Sequence, residues 1–288
     1  MNSTLVITQI LTGVVGGLVY VLLALGLTLI FGLMRVVNFA HGAFYMLGAY
    51  TAVVVISLIG NFWLALIVVP VVVGLGGLAV ERGLIRPLYA RSDYDSLLLT
   101  FGLSFVIVEL VKLGFGKLGQ PFSAPPALSG ALAIGSIYFP KYLAFMGLAA
   151  IVAVAALWLF LQRTDLGLTI RAGTQDSIMV RALGVNFDRT RATVFALGIA
   201  LAGLAGVLNA PFAGVNPDMG LQILIFAFVT VVVGGLGSYW GAVVGGLLIG
   251  VVYSLTSLFF PQLAQVAVFS LMALVLLVRP AGLLGSTI

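Results

Sequence analysis

The sequence predicts an all-α, polytopic integral membrane protein of about eight or nine transmembrane helices with a cytoplasmic coupling helix. Composition is the first reason: 62% of residues are hydrophobic and 7% are charged, against about one-quarter charged in a globular domain. The second is the length of the uncharged blocks. Met1–Met34 and Met219–Val278 contain no Asp, Glu, Lys or Arg, and about 20 apolar residues suffice for a helix to cross a bilayer. The third is the position of the arginines, which gather in loops between the blocks and assign that side to the cytoplasm. The +5 net charge therefore speaks of topology, and no nucleic-acid partner is expected. With no cysteine in the chain, disulfides and thiolate metal sites are excluded. The first residues lack the positive region of a cleavable signal, so they are expected to be retained.

Taken in order, Met1–Met34 as one helix would rise about 50 Å, more than the roughly 30 Å hydrocarbon core. Either it tilts, or only about Thr12–Met34 spans. After Arg35, the stretch Val36–Val80 is uncharged apart from His41 and holds two spans, with a turn at Gly60 and Asn61. Glu81–Asp95 carries three arginines and reads as cytoplasmic. Ser96–Gly116 spans, with Glu109 and Lys112 near its far end as a snorkelled surface pair. Gly119–Pro140 is an outer connection, and Tyr142–Gln162 spans back. After Arg191 a span ends near Asn209–Pro211. The last block fits crossings at about Leu221–Gly235, Trp240–Phe259 and Gln262–Val278, the first of them short enough to be broken or re-entrant. Arg279 ends the last one inside, which puts the N-terminus outside and the C-terminus in the cytoplasm. The whole chain, 1–288, reads as one transmembrane domain.

The polar stretch 163–191 stands out, holding five of the thirteen basic and three of the eight acidic residues. Thr174 can accept from a first-turn N–H, and Asp176 places negative charge at a helix start. Ile178, Met179, Ala182 and Leu183 recur at helical spacing, Arg181 falls in the last turn, and Gly184 sits where a left-handed residue ends a helix. Asn186 or Asp188 then caps the next helix. A ten-residue amphipathic helix capped at both ends is suited to a groove in another protein; resting on the membrane interface is the alternative.

Catalytic chemistry is absent from the pattern. No paired-carboxylate, Ser-His-Asp, zinc-ligand or P-loop motif occurs, so no enzyme activity, metal or cofactor is expected and ATP is not bound by a Walker motif of this chain. Asn38, His41 and Gly42, in NFAHG, are the possible pathway or gate residues. A cap that pins a cytoplasmic turn is the other reading of His41. The 36 glycines, clustered as GVVGG, GLGG and GAVVGG, allow close helix packing in lipid. HGAFYMLGAY and WGAVVGGLLIG weakly echo one another and hint at an internal duplication.

NFAHGAFYMLGAY, RTDLGLTIRAGTQDSIMVRALGVN, FALGIALAGLAGVL, GGLGSYWGAVVGGLLIG and the closing VLLVRPAGLLG together resemble the LivH branch of branched-chain amino acid ABC transporter permeases, over nearly the whole chain. The resemblance implies that Asp176–Gly184 is the helix that docks in an ATPase cleft, in a shortened form, since Asp176 is followed by Ser177 and Ile178 rather than two alanines. It implies a LivM-like permease partner, two ABC ATPase subunits that use the ATP, a periplasmic substrate-binding protein and a place in the bacterial inner membrane. Urea and amide permeases resemble the same branch. A self-sufficient secondary transporter or channel is the reading from a different class.

Overall fold

The computed structural model describes residues 3–285 apart from Ala90 and Ser136. Helix α1 (Ser3–Met34) is unbroken over 32 residues, about 48 Å. Its first turns are exposed and continuous burial starts near Gly13, so the helix is longer than its packed part. After the extended segment 35–40, α2 (His41–Ile59) runs to Gly60, whose positive φ of 69° ends it. Asn61 then accepts from the backbone N–H groups of Trp63 and Leu64 and starts α3 (Phe62–Val80), as the Gly–Asn pair predicts. The chain does not turn at Val80: it continues through a π-helical turn at Glu81–Ile85 and a 3₁₀ turn at Arg86–Leu88. Ser92 caps α4 (Asp93–Phe115).

The connection from 116 to 140 contains a hairpin that the Pro- and Gly-rich sequence did not reveal, β1 (Ala131–Ile134) antiparallel to β2 (Ile137–Pro140). Then come α5 (Lys141–Arg163), α6 (Asp165–Gln175), α7 (Ser177–Ala182), α8 (Phe187–Ala213), α9 (Met219–Gly234), α10 (Tyr239–Phe259) and α11 (Ala264–Val278). Among the described residues, eight helices are long and apolar enough to cross a membrane. The ninth candidate, α9, has 16 residues and a rise of about 24 Å, short of the hydrocarbon thickness.

Glycines set the helix contacts. Gly13 and Gly17 of α1 lie on Gly250 and Gly246 of α10, and Gly26 of α1 meets Gly198 of α8. Gly74 of α3 faces Ala196 and Ala200 of α8. Where lipid supplies no hydrophobic drive between helices, this close approach of small residues is what holds them.

These contacts repeat in pairs. α1 lies on α10 as α8 lies on α3, α1 meets α8, and α2 meets α9. Both long helices end in a residue of positive φ, Arg35 (54°) after α1 and Gly214 (76°) after α8. Each is followed by a non-helical segment and a helix that opens on an Asn-x-x-x-Gly pattern. Asn38 Oδ1 accepts from Ala40 N at 3.1 Å and Asn216 Oδ1 from Asp218 N at 3.1 Å. The Asn38 and Asn216 carbonyls accept from His41 N and Met219 N, both at 3.3 Å. Helices α1–α4 and α8–α11 are thus two copies of one arrangement, in opposite orientation because α1 ends and α8 begins on the arginine-rich face. The sequence echo between HGAFYMLGAY and WGAVVGGLLIG is not this repeat: the first opens α2 and the second lies in α10, which corresponds to α3.

Candidate functional site

The first region is on the arginine-rich face. Thr164 accepts from Gly167 N and starts α6, a helix not expected between Arg163 and Thr174. Thr174 therefore lies inside a helix, and its hydroxyl donates to the Arg171 carbonyl at 2.7 Å. Asp176 alone caps α7, accepting from Ile178 N and Met179 N at 2.9 Å each. The expected ten-residue helix is thereby shortened to six residues. Its end is as expected. Gly184 has a φ of 82°, Gly184 N bonds Arg181 O at 2.9 Å and Val185 N bonds Val180 O at 3.4 Å, the paired hydrogen bonds of a Schellman motif.

Val180 turns inward, while Ile178 is 81% exposed, Leu183 76% and Met179 57%, with Ala182 exposed beside them. A compact apolar patch of this kind marks an interaction surface. Arg181 packs over the Phe187 ring at 5.2 Å, and Arg191 covers both Phe187 at 5.0 Å and Tyr89 at 4.5 Å. The Tyr89 hydroxyl donates to Glu81 Oε1 at 2.7 Å; burial first, and this bond second, push its pKa up. Asp188 pairs with Arg86 at 3.1 Å. Asn186 accepts from Arg189 N and starts α8. The polar loop is thus stacked and bonded onto the end of α3. Sequence reading overlooked Glu81, Tyr89, Phe187 and Arg191, although Glu81 is the first acid of the chain and lies at the end of an apolar block.

The second region is inside the bundle. His41 does not sit in a surface turn. Its Nε2 donates to the Leu23 carbonyl at 3.1 Å, level with a residue eleven positions before the end of α1, about 16 Å along that helix. Asn38 and His41 are fully buried, and among the described residues Asn38 Nδ2 and His41 Nδ1 have no protein partner. Thr100 of α4 secures the segment, accepting from Phe39 N and donating to Val37 O, both at 3.2 Å. Gly42 rests on the backbone of Gly220. Helices α2 and α9 therefore begin beside each other at depth, each after an irregular segment. Broken helices of this sort in inverted repeats are where membrane transporters place substrate sites.

Glu109 and Lys112 pair at 2.9 Å, with 64% and 25% of their side chains exposed. They border a cavity of about 230 Å³ that also involves Phe39, Phe101 and Asp218, and their exposure is in keeping with the surface pair the spacing predicts. Among the described residues, no cluster of His, Asp and Glu could hold a metal ion.

The family model for the permease component of branched-chain amino acid transport systems matches residues 9–278. The chain belongs to this permease family. The permease is 33% identical to the Escherichia coli high-affinity branched-chain amino acid transport permease LivH, over 96% of this chain and 94% of that protein. It is 33% identical to BraD, the corresponding permease of Pseudomonas aeruginosa, over 96% and 95%. It is 29% identical to Escherichia coli LivM, over 94% of this chain and 68% of that protein. No solved structure matches the permease.

Proposed function

We propose that the chain is the LivH-type membrane subunit of an ABC importer for branched-chain amino acids. It pairs with a LivM-like permease, is driven by two ATPase subunits docked on α7, and receives substrate from a periplasmic binding protein. It lies in the inner membrane with its N-terminus periplasmic and its C-terminus cytoplasmic, since the arginine loops lie on one face. The observation that carries this reading is α7: an apolar patch exposed on a polar loop, capped at both ends and fastened to the transmembrane bundle. A permease that works alone has no use for such a surface.

Closure of the ATPases on ATP would push α7. The push passes to α8 through the short 183–186 link, and to α3 through the Arg191–Tyr89–Glu81 contacts. Because α3 packs on α8 and α8 on α1, movement at the loop reaches the paired helix starts at Gly42 and Gly220. A secondary transporter would instead be expected to hold an ion-coupling acid within the membrane. Here Glu109 lies in an exposed pair, and Glu81 is engaged at the loop.

Affinity purification of the chain from native membrane, with identification of what co-purifies, tests the reading. Two ATPases and a second permease are expected. Recovery of the chain alone at every ionic strength would overturn it.

A further inference from the structure

A cavity of about 220 Å³ lies where the two repeats meet, bounded by α1, α2, α8, α9 and α10. We infer that this cavity is the part of the translocation path in which the permease itself holds its substrate, a small solute of zero net charge with an apolar body. The inference rests on the importer reading above and adds the residues of the path to it.

Depth is the first support. Tyr45 stands one turn after His41 and Tyr20 one turn before Leu23, so the cavity adjoins the broken helix starts, and Asn216 of the irregular segment before α9 lines it. Irregular backbone at such depth is tolerated where it borders protein or a water-filled space. Chemistry is the second. One wall is aromatic: Tyr20 stacks on Phe226 at 5.1 Å and 6°, and Tyr253 meets Phe226 edge-on at 5.1 Å. Facing it are hydroxyls and amides. Asn209 Nδ2 donates to the Tyr45 hydroxyl at 2.7 Å. Among the described residues no hydrogen bond ties the side-chain amide of Gln222 or the hydroxyls of Tyr20 and Tyr253 to protein.

Among the described residues, no Asp, Glu, Lys, Arg or His lines the cavity. A net ion would lose its hydration there without a countercharge. A zwitterion can place its carboxylate on hydroxyl and amide donors and its ammonium on an aromatic face. An aliphatic side chain fits the remaining apolar lining. Binding groups that are few and neutral hold a substrate without trapping it.

The absence of native cysteine makes a direct test possible. Gln222→Cys and Tyr253→Cys are made singly, with Leu277→Cys, 84% exposed on α11, as the outward-facing reference. Each full importer is reconstituted in proteoliposomes and treated with a membrane-impermeant methanethiosulfonate that carries an amino-acid zwitterion, with modification read on this chain by mass spectrometry. The thiols at 222 and 253 are expected to react severalfold faster than that at 277, to do so in one nucleotide state more than the other, and to be shielded during leucine transport. Modification at either should abolish leucine uptake. If neither reacts faster than 277 while the unmodified importer carries leucine, the cavity assignment is overturned and the importer reading stands. If both react and are shielded by urea but not by leucine, the path stands and the branched-chain substrate falls.

Discussion

Gly42 and Gly220 touch backbone to backbone: a Cβ on Gly220 would sit 2.6 Å from the Gly42 carbonyl oxygen, and one on Gly42 would collide with the Gly220 carbonyl. This is the point where the two repeats meet at their helix starts. Gly42→Ala or Gly220→Ala must push the starts apart, an overpacking that costs about 1–3 kcal/mol. Thermal unfolding of the purified permease in detergent should show a lowered midpoint for each. The double variant should lose less than the sum of the singles, because one displacement accommodates both methyl groups. Additive losses would mean that the two contacts are independent.

The α7 patch separates folding from docking. Ile178→Asp and Leu183→Asp alter exposed side chains, so stability should change by no more than about 0.5 kcal/mol. Association with the ATPases should weaken by about 1 kcal/mol or more if these residues anchor the interface. Gly184→Ala acts differently, forcing a Cβ into a φ of 82° at a cost of about 1–2 kcal/mol. It should loosen the end of α7 and lower both ATPase association and uptake. Binding of the purified ATPases to each variant in nanodiscs checks all three. Unchanged binding by both Asp variants would remove α7 from the docking surface.

The class of the protein, its spans and the caps of the polar loop were legible because each rests on long runs of one residue type or on short capping signals. Gly60–Asn61, Asp176 and Gly184 act through local backbone geometry, and the sequence carries that geometry directly. The depth of His41 was not legible. Asn38 and His41 look like cap residues beside Arg35, and only the Leu23 contact shows that the chain climbs back into the bundle before α2 begins. The repeat was hidden for a similar reason: it is marked by Asn-x-x-x-Gly and by shared hydrogen bonds, while the apolar helices around it have diverged. The stack from Arg181 to Glu81 joins residues about a hundred positions apart, and periodicity carries no such information.

Glu81 and Tyr89 make that stack testable. Glu81 is fully buried, with Oε1 held by the Tyr89 hydroxyl at 2.7 Å and, among the described residues, no partner for Oε2. Tyr89→Phe leaves the carboxylate with no hydrogen bond from this residue and should destabilise by about 1–3 kcal/mol. Arg191→Lys keeps the charge but loses the planar stacking over Tyr89 and Phe187. The importer carrying it is expected to hydrolyse ATP with normal ATPase association while taking up less substrate per ATP. Uptake and hydrolysis measured together in proteoliposomes settle the matter. An unchanged ratio would show that the stack fixes the loop without transmitting its movement.

The last expectation is of no effect. Glu109 and Lys112 are the ionised pair within the span of α4, and a permease coupled to an ion gradient would be expected to need such an acid. Their pairing is within one helix and the Glu109 side chain is exposed, so little free energy depends on it. Glu109→Gln and Lys112→Met should leave stability, ATPase association and ATP-driven uptake within experimental error of the unaltered importer. Uptake should also remain insensitive to collapse of the proton and sodium gradients. Loss of transport in Glu109→Gln, with folding and assembly intact, would place a coupling ion on α4 and require a second energy source beside ATP.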